Sequence, residues 1–162
     1  MEKIALFAGT FDPITLGHED IAQRAAKMFD KLIIGVGNNI HKKHLFTLEE
    51  RVSFLQQVFQ KDLNIEIITY NGLTIDFCKK NNISVIVRGV RNATDLDTEN
   101  AIHYANKMLL PEIETIYIPT SAQYAGISST AVREILTHNG DIVSFVPQSV
   151  YASIIRSFKS IK

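Results

Sequence analysis

The run Lys31-Leu32-Ile33-Ile34-Gly35-Val36-Gly37 carries no polar side chain after Lys31. A strand that is apolar on both faces must be covered on both, which is the condition of an inner strand in a parallel sheet. The flanking segments supply the covering helices. Before the run, Gly17 to Phe29 places Ile21, Ala22, Ala25, Ala26 and Phe29 at helical spacing. After it, Thr47-Leu48-Glu49-Glu50 matches a capping box, with Val52, Leu55, Val58 and Phe59 on one face.

The alternation continues along the chain. Further strands are expected over residues 3–8, 64–70, 84–87 and 115–118. Helices are expected over 73–80 and 93–109, the latter stopped by Pro111. Another opens at Ile127-Ser128-Ser129-Thr130 and ends at Asn139-Gly140, and a last one covers about 147–159. This pattern predicts an α/β fold, a doubly wound five-stranded parallel sheet, as a single domain over residues 1–162.

The totals exclude several classes. Lys and Arg number 17, as do Asp and Glu, so no broad electrostatic footprint for nucleic acid is expected. Cys78 stands alone, which rules out an intrachain disulfide and a cysteine zinc site. No apolar run is long enough to span a membrane, and the first residues lack the pattern of a signal peptide. The expected location is cytoplasmic, with no membrane partner.

Familiar phosphate signatures are missing: there is no G-x-x-x-x-G-K-[ST], and no G-x-G-x-x-G follows the first strand. No G-x-S-x-G elbow is present either. Instead, cationic and donor-rich residues follow predicted strand ends: His18 after the first, Lys42 after the second, Arg88 and Arg91 after the fourth, and Ser128, Ser129 and Thr130 after the fifth. In a parallel sheet those ends share one edge, where ligands bind. Guanidinium groups, a lysine and a helix start all suit phosphate oxygens. If the attacking group is itself a phosphate, no base is needed, and catalysis reduces to positioning and charge neutralisation. His41 and His44 flank the lysines without carboxylate or cysteine support, so no protein metal site is expected.

The stretch Gly9-Thr10-Phe11-Asp12-Pro13-Ile14-Thr15-Leu16-Gly17-His18 resembles the T-x-G-H form of the nucleotidyltransferase H-x-G-H motif. Ile127-Ser128-Ser129-Thr130-Ala131-Val132-Arg133 resembles that superfamily's I-S-S-T-x-x-R signature. With Lys42-Lys43, Phe46 to Arg51, and Arg88-Gly89-Val90-Arg91 followed by Asp95 and Glu99, the whole chain resembles the bacterial phosphopantetheine adenylyltransferases. Thr98 departs from the aromatic residue often found there in the family.

The resemblance implies a Rossmann-like nucleotidyltransferase fold that transfers the adenylyl group of ATP to 4'-phosphopantetheine. By motif, His18 is the catalytic residue at the α-phosphate, and Thr10 lies between the two substrates. Lys42 and Arg88 hold the acceptor phosphate, with Leu73 and Thr74 along the pantetheine arm. ATP contacts fall on Phe11, Gly89, Val90, Arg91, Glu99, Tyr124, Ala125, Gly126, Ile127, Ser128, Ser129 and Thr130, besides Thr10 and His18. Mg²⁺ is expected on the triphosphate with few protein ligands, and a homohexamer as the assembly. Two rivals stand beside this reading. One is a nucleotidyltransferase for nicotinamide mononucleotide or glycerol 3-phosphate, which Lys42 and the R-G-V-R block disfavour. The other is a non-catalytic nucleotide-binding module, which has no use for His18 or Lys42.

Overall fold

A computed structural model describes residues 2–38 and 43–161. Five strands, β1 (Ile4–Gly9), β2 (Lys31–Gly37), β3 (Ile65–Tyr70), β4 (Val85–Val90) and β5 (Glu114–Pro119), form one parallel sheet in the order β3-β2-β1-β4-β5. Six helices connect or follow them: α1 (Leu16–Ala26), α2 (Leu48–Val58), α3 (Thr74–Lys80), α4 (Ala93–Leu109), α5 (Ser129–Thr137) and α6 (Gln148–Ile161). The doubly wound sheet expected from the sequence is the one observed.

Side chains alternate across β1 and so divide the core. Ala5 and Phe7 face a cluster with Ile21 and Ala25 of α1, Leu55 of α2, Leu136 of α5 and Ile154 of α6. Leu6 and Ala8 face a second cluster with Ile75 and Cys78 of α3 and Ile113. Burial pushes the Cys78 thiol up to about 11, which makes it an inert core residue. Thr47 and Glu50 close the capping box of α2. Asn139, at φ 60, ends α5 in the left-handed turn that the Asn-Gly pair suggests.

One boundary differs from expectation in a way that shapes the site. β4 runs on through Arg88 and Gly89 to Val90 instead of stopping at Val87. Its pairing with β5 continues to Val90 opposite Pro119. Its pairing with β1, however, ends at Phe7 opposite Val87, although β1 itself continues beside β2 to Gly9 opposite Val36. Strands β1 and β4 therefore part at their carboxyl ends. The chain winds outward from these two strands in both directions, and the gap between them is the place where open α/β sheets bind ligands.

Candidate active site

Gly9 ends β1, and the turn after it returns on itself. Phe11 adopts φ 51, unusual for a residue with a side chain, and its ring folds back onto Gly9. A Cβ at Gly9 would lie 2.9 Å from that ring, so only glycine permits the arrangement. The Phe11 ring is 2% exposed and packs edge-on against Phe7 and His18, with centroids 5.5 and 5.0 Å away. Phe11, expected as an ATP contact, thus spends its ring bracing the histidine; it borders the cleft mainly as part of the turn.

Thr15 caps α1, and His18 is the third residue of the helix. The His18 Nδ1 lies 3.1 Å from both the backbone nitrogen and the hydroxyl oxygen of Thr15. A backbone N–H can only donate, so Nδ1 is the acceptor and the neutral ring carries its proton on Nε2. Burial, then the Arg88 and Arg91 charges, lower the His18 pKa to about 4. At neutral pH the residue is an uncharged Nε2–H donor.

That donor borders a cleft of about 370 Å³. Residues from four parts of the chain meet there: Gly9, Thr10 and Phe11; His18; Arg88, Gly89, Arg91 and Glu99; and Ile127, Ser128, Ser129 and Thr130. Arg88 occupies the gap between β1 and β4. Its Nη1 donates to the Ala8 carbonyl at 2.6 Å, and its Nε and Nη2 form a two-bond fork onto Glu99 at 2.7 and 2.6 Å. Arg91 forks onto Asp95 at 2.7 and 3.1 Å and reaches the Ile127 carbonyl at 3.4 Å. That hydrogen bonding holds the Asp95 carboxyl below the usual carboxylate range. Glu99 is thus held as the partner of Arg88.

The start of α5 completes the cleft. Ser128 caps the helix by accepting from Ala131 N. Ser129 Oγ donates to the Pro13 carbonyl at 2.8 Å, and Thr130 Oγ1 accepts from Arg133 Nη2 at 3.1 Å. These hydroxyls serve the protein; of the first-turn N–H groups, that of Ala131 is taken by Ser128, and those of Ser129 and Thr130 are the ones a helix start offers to an anion.

Val90, Tyr124, Ala125, Gly126, Leu73 and Thr74 do not border this cleft. Tyr124 ends a single 3-10 turn beside the start of α1, its carbonyl 4.0 Å from the position a Cβ on Gly17 would take. Leu73 is exposed just before α3, and the Thr74 hydroxyl pairs with Tyr70 OH at 2.8 Å. Lys42 and His41 lie outside the described residues.

Several residues around the site were given no role by the sequence. Arg133 Nη1 donates to the Asp12 carbonyl at 2.6 Å, so the second signature closes directly onto the first. Asp12, 2% exposed, accepts the backbone N–H groups of Leu45 and Phe46 at 2.9 Å each. Asp20 accepts from Ser121 N and Oγ at 3.1 and 2.9 Å, tying the end of β5 to α1. Arg51 donates to the Thr10 carbonyl at 2.8 Å. An aspartate before proline reads as a turn residue, and an arginine in a helix reads as surface. Only the three-dimensional pairing reveals their work.

The comparisons with known proteins agree with this geometry. Residues 6–135 match the model of the cytidylyltransferase-like family. A phosphopantetheine adenylyltransferase of Clostridium botulinum (strain Eklund 17B / Type B) is 44% identical over 157 residues, 97% of this chain and 99% of the relative. One from Flavobacterium johnsoniae is 45% identical over 146 residues, covering 90% and 95%. In fold, the chain superposes with a TM-score of 0.72 on a crystal structure from Vibrio parahaemolyticus assigned as a nicotinate-nucleotide adenylyltransferase, 19% identical, covering 96% of this chain and 93% of that one. This chain therefore belongs to the phosphopantetheine adenylyltransferases, enzymes of the cytidylyltransferase-like family.

Proposed function

We propose that the protein transfers the adenylyl group of ATP to 4'-phosphopantetheine, giving dephospho-coenzyme A and pyrophosphate in coenzyme A biosynthesis. The observation that carries the chemistry is the fixed tautomer of His18: a neutral Nε2–H donor at the mouth of a cleft between the ends of β1 and β4. An oxygen of the acceptor phosphate attacks the α-phosphorus, and the bond from that phosphorus to the bridging oxygen of pyrophosphate breaks. The nucleophile is already an anion, so no proton has to be removed. His18 donates to an α-phosphate oxygen, where charge shifts during transfer.

The remaining roles follow from position. Arg91 and the first-turn N–H groups of α5 face the β- and γ-phosphates, with Gly89, Glu99 and Ile127 to Thr130 around the nucleotide. Val90, Tyr124, Ala125 and Gly126 lie to its adenine side. Thr10 stands between the substrates. Arg88 and Lys42 take the acceptor phosphate, which displaces Glu99 from part of the Arg88 fork. Leu73 and Thr74 meet the pantetheine arm.

Both cleft carboxylates, Asp95 and Glu99, are engaged by guanidinium groups, so these residues suit a Mg²⁺ that arrives on the triphosphate. When bound, the ion neutralises phosphate charge. The assembly we propose is a homohexamer in the cytoplasm. Its support is α4, which presents Ile102, Tyr104, Met108 and Leu109 to solvent.

The test is pyrophosphate release from ATP, Mg²⁺ and 4'-phosphopantetheine. Release with nicotinamide mononucleotide but not with phosphopantetheine overturns the acceptor. ATP binding without turnover on any acceptor identifies a non-catalytic module.

A further inference from the structure

Behind the turn of residues 10–13 lies a charge that the chemistry above does not use. Arg51, on α2, is 1% exposed and heads the fully buried side chains in volume. Its Nη1 donates to the Thr10 carbonyl at 2.8 Å and reaches the Gly37 carbonyl at 3.5 Å. Gly37 ends β2 and Thr10 follows the end of β1, so the guanidinium bridges the carboxyl ends of two neighbouring strands. Among the described residues no carboxylate comes within ion-pair distance of it, and its Nε donates to no protein acceptor. Burial lowers its pKa, and the more distant charges of Asp12 and Glu49 offset only part of that.

Two carbonyl bonds do not by themselves require a buried charge here. An apolar side chain of similar volume is often neutral or stabilising in place of a buried charge. The cations on the cleft side of the turn, by contrast, are matched: Arg88 by Glu99, Arg91 by Asp95, and Arg133 by Asp12 at 3.7 Å. Among the described residues Arg51 is the buried cation without a contacting carboxylate, and it is bonded to a residue that borders the cleft.

We propose that Arg51 is a positioning residue for adenylyl transfer: it fixes Thr10 through its carbonyl and lends the bound phosphates a positive charge that no contacting carboxylate cancels. The proposal rests on the reading of Thr10 as the residue between the two substrates. In a dry setting such a charge acts across a single turn of chain, where water would screen it.

Two variants separate the charge from the hold. Arg51→Met removes both at similar volume; Arg51→Lys keeps the charge and loses the guanidinium's grip on the two carbonyls. Melting temperature, the dissociation constant of inorganic pyrophosphate, and kcat per titrated active site are measured for each. Arg51→Met is expected to stay folded, to bind pyrophosphate at least tenfold more weakly, and to lose roughly a hundredfold in kcat, the scale of a small misplacement at a reacting centre. Arg51→Lys is expected to keep pyrophosphate affinity within about threefold while kcat still falls at least about tenfold. Wild-type kcat and pyrophosphate affinity in Arg51→Met overturn the proposal, as does failure of both variants to fold, which makes Arg51 a packing residue. Absence of turnover in the wild type refutes the acceptor reading instead. Pyrophosphate affinity then decides: a drop in Arg51→Met alone supports the charge, and an unchanged value overturns it.

Discussion

The side chain of Ile21, on α1, fills the space where Gly89 of β4 would otherwise carry a Cβ. That Cβ would lie 2.9 Å from Ile21 Cγ1. The contact sets how closely α1, and with it His18, approaches the sheet. Gly89→Ala should therefore cost about 1–3 kcal/mol by overpacking. Urea denaturation measures it. In an Ile21→Ala background the added penalty should shrink, because the clashing atoms are gone. An equal penalty in both backgrounds would place the strain elsewhere.

His18 should titrate well below 6.5 when followed by NMR in the free protein, near the value of about 4 set by burial and the two arginines. Binding of ATP should raise it, since the polyanion favours the imidazolium. The sign for stability follows. The folded pKa is depressed, so the contribution is complete above about 6.5 and is lost as pH falls toward 4, where the unfolded chain takes up the proton first. His18→Ala should flatten that slope and lower kcat by about 10²–10³-fold, as expected for one lost transition-state donor. A near-normal kcat contradicts the role.

Gly17 faces no such crowding. A Cβ there meets Thr120 and Thr15 at 3.7 Å, an ordinary contact distance. Gly17→Ala should leave the melting temperature equal or raise it, because alanine costs less backbone entropy in a helix. It borders the cleft, however, so ATP affinity should fall about tenfold or more if the nucleotide approaches the backbone there. Calorimetric titration decides; unchanged affinity means the ligand keeps its distance from α1.

Asp12 holds the chain leading into α2 through two backbone N–H groups. Asparagine offers one acceptor oxygen where two are used. Asp12→Asn should cost about 1–3 kcal/mol for the N–H left without its partner. Hydrogen exchange should quicken at Leu45 or Phe46 specifically. Uniform quickening across the sheet would point to global loss instead.

Met108 is 85% exposed and Leu109 62% on α4. Met108→Glu should reduce the particle mass seen in light scattering if α4 carries the assembly. An unchanged mass moves the interface elsewhere.

The fold was legible because its strongest signals are one-dimensional. Continuous apolar strands, the Thr47 capping box and Asn139-Gly140 each state their role within a few residues. The meeting of His18, Arg88, Arg91 and Ser128 to Thr130 at one edge followed from the parallel sheet alone. What could not be read was how hydrogen bonds are shared out. The sequence places Asp95 and Glu99 after the two arginines but does not show that each carboxylate takes a two-bond fork, Glu99 from Arg88 and Asp95 from Arg91. Arg133 and Arg51 fall in recognisable blocks, but nothing local shows that each grips a carbonyl of the first motif, across 121 and 41 residues. The extension of β4 to Val90 was equally hidden, because it is fixed by pairing with the end of β5, where Thr120 N–H donates to the Val90 carbonyl at 2.8 Å.

The clasp of Ser129 and Arg133 on the turn also fixes an order of events during synthesis. The Pro13 and Asp12 carbonyls are synthesised well over a hundred residues before their partners, Ser129 and Arg133. The turn that carries Thr10 is therefore held from behind only when α5 is in place.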